Sequence, residues 1–144
     1  MEDKNCRILR FPSFSDHRGK LTVIEGGEAV PFEICRVFFL HGLTIDSVRG
    51  GHATQNDQCI IVMTGACKIR IHDGEHEKIF TLDEPMCGVY IPAMVWREIY
   101  DCRDNCMLAV LSDKHYDPND YVRDFESFLR LCTVQKDKKT IERA

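Results

Sequence analysis

Eight short runs rich in Val, Ile, Phe and Cys follow one another along most of this chain, each closed by turn residues. They cover residues 20–25, 35–40, 58–64, 66–72, 77–82, 88–91, 96–101 and 107–111. Runs of this length and composition read as β-strands. Asp16-His17-Arg18-Gly19 and His72-Asp73-Gly74-Glu75 place a glycine where a tight turn needs positive φ, and Thr64-Gly65 reads as a further turn between two strands. Pro92 sits at a strand end, where a missing N–H is tolerated. Strands that recur about every 8–12 residues, with no helical run between them, predict a sandwich or a barrel.

Only the end of the chain changes period. Asp117-Pro118-Asn119-Asp120 reads as a helix start with an acidic first turn. Tyr121, Val122, Phe125, Phe128, Leu129 and Cys132 then recur at helical spacing, giving one apolar face to pack on the barrel or on a second subunit. Residues 135–144 are charged and aperiodic and are expected to form a frayed tail. With no internal linker, the expected organisation is one domain over residues 1–134 followed by that tail.

Composition narrows the function classes. A chain of 144 residues suits one domain with a real core, and 44% hydrophobic with 29% charged residues is ordinary globular usage. A net charge of −4 argues against a nucleic-acid surface, which needs a basic patch. No apolar run is long enough to span a bilayer, and Met1-Glu2-Asp3-Lys4-Asn5 lacks a signal-peptide core, so a cytoplasmic protein is expected. The eight cysteines form no C-x2-C pair, and most lie in apolar, strand-like surroundings. They are expected to be reduced core thiols.

The chemistry concentrates between Arg49 and Gly65. His52-Ala53-Thr54-Gln55-Asn56-Asp57-Gln58, with Gly65 beyond, has the frame H-x-H-x3-E-x6-G of a metal-binding barrel, but keeps only the first histidine and the glycine. Pro92-Ala93-Met94-Val95-Trp96-Arg97 has the frame P-x-G-x2-H with arginine in the ligand position. A guanidinium offers no lone pair, so this donor set suits a divalent ion poorly, and no metal or other cofactor is expected. What remains suits acid–base work on a small anion. His52 can exchange a proton near neutral pH. Arg49 offers a planar fork to phosphate or carboxylate, and Gly50-Gly51 let a ligand approach the backbone. Tyr90, Trp96 and Tyr100 are candidate apolar walls with polar tips.

The chain resembles the nucleotide-sugar 3,4-ketoisomerases, small cupin proteins acting on dTDP-4-keto-6-deoxyglucose. The resemblance rests on Asp16-His17-Arg18-Gly19-Lys20-Leu21, Glu25, Pro31-Phe32, Arg36-Val37-Phe38, Arg49-Gly50-Gly51-His52-Ala53 and Gln58. It continues through Gly65, Asp73-Gly74, Val95-Trp96, Leu111-Ser112-Asp113 and Asp120-Tyr121-Val122-Arg123. It implies an all-β, cupin-type jelly-roll barrel with a short C-terminal helix. It also implies a metal-independent isomerase that moves the keto group of a dTDP-4-keto-6-deoxy-hexose from C4 to C3, in deoxyamino-sugar biosynthesis. The expected partner is a homodimer whose N-terminal strands, up to Glu25, are exchanged. His52 matches the first histidine of the family's R-G-x-H-A-H motif, and Arg49 its arginine. Thr54 replaces the second histidine, Arg97 replaces the histidine of V-W-H-E, and Arg36-Val37-Phe38-Phe39 lacks a usual tyrosine.

The expected catalytic set is therefore His52, with Thr54 or Tyr100 as substitute donor. The expected substrate-binding set is Arg49, Gly51, Gln58, Tyr90, Trp96 and Arg97. Two other readings stay open: a non-catalytic sugar-nucleotide-binding cupin, and an isomerase or epimerase acting on a different nucleotide sugar.

Overall fold

A computed structural model describes residues 5–143. Ten strands and one helix follow the order β1 Arg7–Arg10, β2 Ser13–Asp16, β3 Gly19–Thr22, β4 Arg36–Leu40, β5 Arg49–Thr54, β6 Gln58–His72, β7 Glu77–Leu82, β8 Cys87–Ile91, β9 Trp96–Ser112, β10 Tyr121–Val122 and α1 Phe125–Arg143. The architecture is the expected one, all-β with one C-terminal helix.

Two long strands organise it. β6 pairs antiparallel with β9 along most of its length, with β8 over Gln58–Ile61 and with β7 over Cys67–His72. β9 also carries β4 at its far end and β5 at its near end. Their inward residues, among them Ile60, Val62, Ile69, Ile71, Ile99, Leu108 and Val110, fill the barrel together with Leu82, Val89 and Ile91. Such alternation follows from the two-residue period of a strand.

The sequence predicts a turn at Thr64-Gly65 and a break between residues 101 and 107. The structure has continuous strands at both places. Gly65 sits at φ +74, and a Cβ there would lie 2.3 Å from the Arg103 carbonyl oxygen. The glycine thus makes a bulge facing Arg103–Asn105, and the ladder continues past it with register shifts. Asp101, Asp104 and Asn105 take positive φ on the opposite strand. The barrel turns its corner here without ending either strand.

Both ends of the chain also differ from expectation. At the N-terminus β1, which the run pattern does not predict, pairs with β8. β2 and β3 form a separate hairpin closed at Asp16 and Gly19. Behind them Phe11, Val30, Phe32, Cys59, Ile61, Tyr90 and Leu111 form a second apolar cluster outside the barrel. At the C-terminus, residues 118–120 form one 3-10 turn, capped by Asp117 accepting from the Asn119 N–H at 2.9 Å. Tyr121 and Val122 then pair with Thr54 and Ala53 instead of entering the helix. The helix starts at Phe125 behind Asp124, whose carboxylate accepts from Ser127 N–H at 2.9 Å, as an N-cap does. It runs through the expected frayed tail to Arg143. That stretch lacks Gly and Pro and is rich in good helix formers, and Lys136 reaches Glu75 at 2.7 Å. Phe128 is fully buried against Ala53, Met94 and Trp96, which fixes the helix on the barrel wall beside β5.

Six of the eight cysteines are buried; Cys132 is half-buried and Cys35 exposed, and none of the eight is in a disulfide.

Candidate active site

The site grows from an irregularity in β5. Arg49 pairs with Ile99, Gly50 with Glu98, and His52 with Arg97, so Gly51 is an extra residue opposite nothing. In a regular strand, residues three apart face opposite ways. The inserted residue cancels that alternation, and Arg49 and His52 both face the same cavity. Gly50 and Gly51 take φ of +86 and +67. A Cβ on Gly50 would come within 2.8 Å of the Arg97 carbonyl oxygen. The glycine pair therefore aims two functional side chains; Gly51 itself is not part of the cavity wall.

The cavity occupies about 70 Å³ inside the barrel. That is room for about five waters, or for one end of a sugar ring. Its apolar wall comes from Phe38, Leu40, Ile60, Ile99 and Val110, and its polar groups from Arg49, His52, Gln58 and Arg97. Arg97 is 2% exposed. Its Nη1 donates to Gln58 Oε1 at 2.7 Å and its Nη2 to the Val95 carbonyl at 3.1 Å. Among the described residues no carboxylate lies within ion-pair distance of it. Burial lowers its pKa to about 10, so it is still a cation at neutral pH. A buried cation without a counter-ion is costly and calls for an anionic or strongly dipolar ligand.

His52 answers that charge. Burial first, and then the Arg97 guanidinium, push its pKa down to about 4. The imidazole is neutral at pH 7 and carries an available lone pair. Its Nδ1 is buried without a well-formed hydrogen bond, although the Gly50 backbone lies close enough to work against the shift by favouring the protonated ring. The Gln58 Nε2 and Arg97 Nε are likewise buried and unpartnered. Three cavity residues thus each present an unsatisfied polar atom, where native interiors leave few.

Other expected site residues lie elsewhere. Tyr100 is on β9, where Arg97 and Ile99 line the cavity, so the strand's alternation turns Tyr100 outward. Its ring lies under the Arg70 guanidinium at 4.7 Å. Trp96 also faces out, with Phe125 and Phe128 at 5.2 and 5.8 Å, and its Nε1 donates to Glu98 at 3.2 Å. Tyr90 stacks on Phe32 at 6.2 Å, with Arg7 over its ring. Thr54 is fully buried and does not line the cavity; its hydroxyl accepts from Asn56 N–H at 3.4 Å. Of the nine expected site residues, the structure gathers Arg49, His52, Gln58 and Arg97.

One neighbouring aromatic is absent from the expected set. Tyr121 packs against the His52 ring at 5.0 Å, edge to face, and its hydroxyl accepts from Arg36 Nη2 at 3.1 Å. The helical spacing of Tyr121 conceals its place on a strand. Among the described residues, no group of three or more His, Cys, Asp or Glu side chains is arranged to hold a metal ion.

Known proteins resemble this chain in sequence and fold. A curated TDP-4-oxo-6-deoxy-α-D-glucose-3,4-oxoisomerase from Aneurinibacillus thermoaerophilus is 33% identical over 129 residues, 89% of this chain and 91% of that protein. The crystal structure of a 3,4-ketoisomerase from Helicobacter canadensis is 35% identical and superposes with a TM-score of 0.87, covering 90% of this chain and 98% of its own. A mutant of the 3,4-ketoisomerase QdtA from Thermoanaerobacterium thermosaccharolyticum, solved with TDP-4-keto-6-deoxyglucose, is 35% identical with a TM-score of 0.86, covering 89% and 94%. Residues 4–133 match the family described as FdtA, WxcM-like, C-terminal, and the chain belongs to that family.

Proposed function

We propose that this protein is a sugar-nucleotide 3,4-ketoisomerase that moves the keto group of a TDP-4-keto-6-deoxy-hexose from C4 to C3. One observation carries the reading: a neutral, half-buried imidazole faces, across a single strand pair, a buried guanidinium that has no carboxylate partner among the described residues. The first is the base that a carbon acid needs, and the second is the charge that its conjugate anion needs. The relatives' activities and the bound sugar nucleotide of QdtA support the choice of substrate.

His52 takes the proton from C3, which the adjacent C4 carbonyl has acidified. Negative charge develops on the C4 oxygen, and Arg97 and the Gln58 amide are the donors placed to receive it. They need no reorganisation, because the Arg97–Gln58 bond and the Val95 carbonyl already fix the guanidinium. Returning the proton to C4 leaves the carbonyl at C3. Arg49, exposed at the cavity mouth, is placed to hold the diphosphate. The product suits later amination at C3, in deoxyamino-sugar biosynthesis.

A homodimer is part of the proposal. The β2–β3 hairpin has no fully buried residue, and Phe14 and Leu21 stand 62% and 61% exposed. A partner subunit that exchanges this N-terminal segment would cover them.

The deciding measurement is proton NMR in D2O with TDP-4-keto-6-deoxyglucose. Deuterium entering C3 or C4, with a displaced carbonyl, is expected. Binding of TDP with no exchange would leave a sugar-nucleotide-binding module. Turnover of another keto sugar only would reassign the substrate.

A further inference from the structure

We infer that the Tyr121 hydroxyl is the second proton-transfer group of this site, carrying a proton between the two oxygens of the reacting sugar while His52 serves the two carbons. The inference rests on the isomerase reading above. It begins from a gap. The interconversion needs an acid for the carbonyl oxygen as well as a base for carbon, and the candidates on the motif fail structurally. Thr54 is fully buried, does not line the cavity and has its hydroxyl turned to the Asn56 N–H, and Tyr100 points away from the barrel.

Tyr121 has the required placement. β10 adds to the edge of β5 with Tyr121 opposite Thr54, two residues beyond His52, and its ring meets the His52 ring at 5.0 Å. Its oxygen accepts from Arg36 Nη2 at 3.1 Å. The same guanidinium reaches Ser112 Oγ at 3.4 Å, and Ser112 is the rung partner of Gln58, a cavity residue. Arg36 also lies over Phe38, another cavity residue, at 5.3 Å. Tyr121 does not itself line the cavity, but its ring touches His52 and its hydroxyl is held by an arginine that reaches the rung partner of Gln58 and lies over Phe38, so it stands directly beside the cavity wall. A guanidinium only donates, so Arg36 occupies an oxygen lone pair and leaves the O–H hydrogen to be given elsewhere. No protein acceptor takes it among the described residues. Arg36 Nε is buried and unpartnered as well, so this corner of the barrel is as unsatisfied as the cavity itself.

The steps balance. His52 removes the C3 proton; the C3–H electrons form the C3=C4 bond, and the C4=O π pair moves to oxygen, which takes the Tyr121 proton. The result is an enediol, a histidinium and a tyrosinate. The tyrosinate then takes the O3 proton as C3=O forms, and the C3=C4 pair takes the proton of histidinium at C4. Both side chains return to their starting states, with no external oxidant or acid.

Tyr121→Phe keeps the ring against His52 and removes only the hydroxyl. The expected result with TDP-4-keto-6-deoxyglucose is a kcat loss of about 100-fold or more, with KM within about threefold and unchanged TDP affinity and melting temperature. A kcat within about threefold of wild type overturns the inference and leaves Tyr121 as a tether for β10. If the Tyr121→Phe protein does not fold, Arg36→Gln reads the same question by releasing the hydroxyl. Loss of about tenfold in kcat is then expected, and unchanged kcat overturns the inference. A wild-type protein that binds TDP but exchanges no sugar proton sinks the isomerase reading itself, a separate failure.

Discussion

His52 and Arg97 are direct rung partners of β5 and β9, one a neutral imidazole and the other a buried guanidinium with no counter-ion among the described residues. Burial, and then the nearby cation, keep the imidazole unprotonated, and among the described residues neither side chain has a carboxylate to neutralise or orient it. Where many acid–base sites pair histidine with a carboxylate, this one sets it beside a cation and so favours the lone pair.

The first prediction follows from that pairing. His52→Asn should reduce isomerisation by about 1000-fold or more while TDP affinity stays within about threefold. The wild-type kcat/KM should stay level as pH falls from 8 to about 5, then decline tenfold per unit below about 4, where His52 takes up its proton. An acid limb centred near 6.5 would show that His52 is not held as described. Stability carries the same sign. The unfolded chain binds this proton near the ordinary 6.5 and the folded chain only near 4, so between those values unfolding takes up a proton. The His52 contribution to stability therefore falls as pH drops through that window. Urea titrations of wild type and His52→Asn at pH 7 and pH 5 should show the wild type losing more.

Gln58→Glu tests the uncompensated charge. The new carboxylate would stand where Gln58 Oε1 now accepts from Arg97 at 2.7 Å, and would neutralise it. Two effects should appear together: a kcat loss of about 100-fold, as the guanidinium no longer serves a developing oxyanion, and an acid limb moved up by about one pH unit as His52 loses its repulsive neighbour. A lower kcat with an unmoved limb would separate Arg97 from His52.

Much of this arrangement was legible in the residues, and the exceptions share a cause. Most strand runs and the barrel class follow from local composition and spacing, and the motif singles out Arg49 and His52, although β5 that carries them is not among the predicted runs. Register does not. The outward turn of Tyr100 depends on which face of β9 carries Arg97, and the shared direction of Arg49 and His52 depends on one extra residue at Gly51. Tyr121 has helical spacing with Phe125 and Phe128, but the free edge of β5 recruits its backbone into a ladder. Long-range pairing outweighs local period at all three positions.

Gly65→Ala probes the corner that joins the two ends of the barrel. The added methyl would meet the Arg103 and Asp104 carbonyl oxygens at 2.3 and 2.7 Å, on a residue at φ +74. Neither neighbour is a flexible side chain, so backbone must move. A loss of about 2–4 kcal/mol in urea unfolding is expected. A loss under about 1 kcal/mol would mean that the bulge relaxes freely.

Tyr100→Phe separates strand direction from motif spacing most simply. The phenol lies on the outer face of β9, under Arg70, while Arg97 and Ile99 of the same strand line the cavity. The Phe ring keeps the cation–π contact, so neither fold nor site should change. Both kcat and KM are expected within about twofold of wild type, and the melting temperature within a few degrees. A tenfold fall in kcat with unchanged stability would instead place the Tyr100 hydroxyl in the proton path, contrary to the direction that β9 gives it.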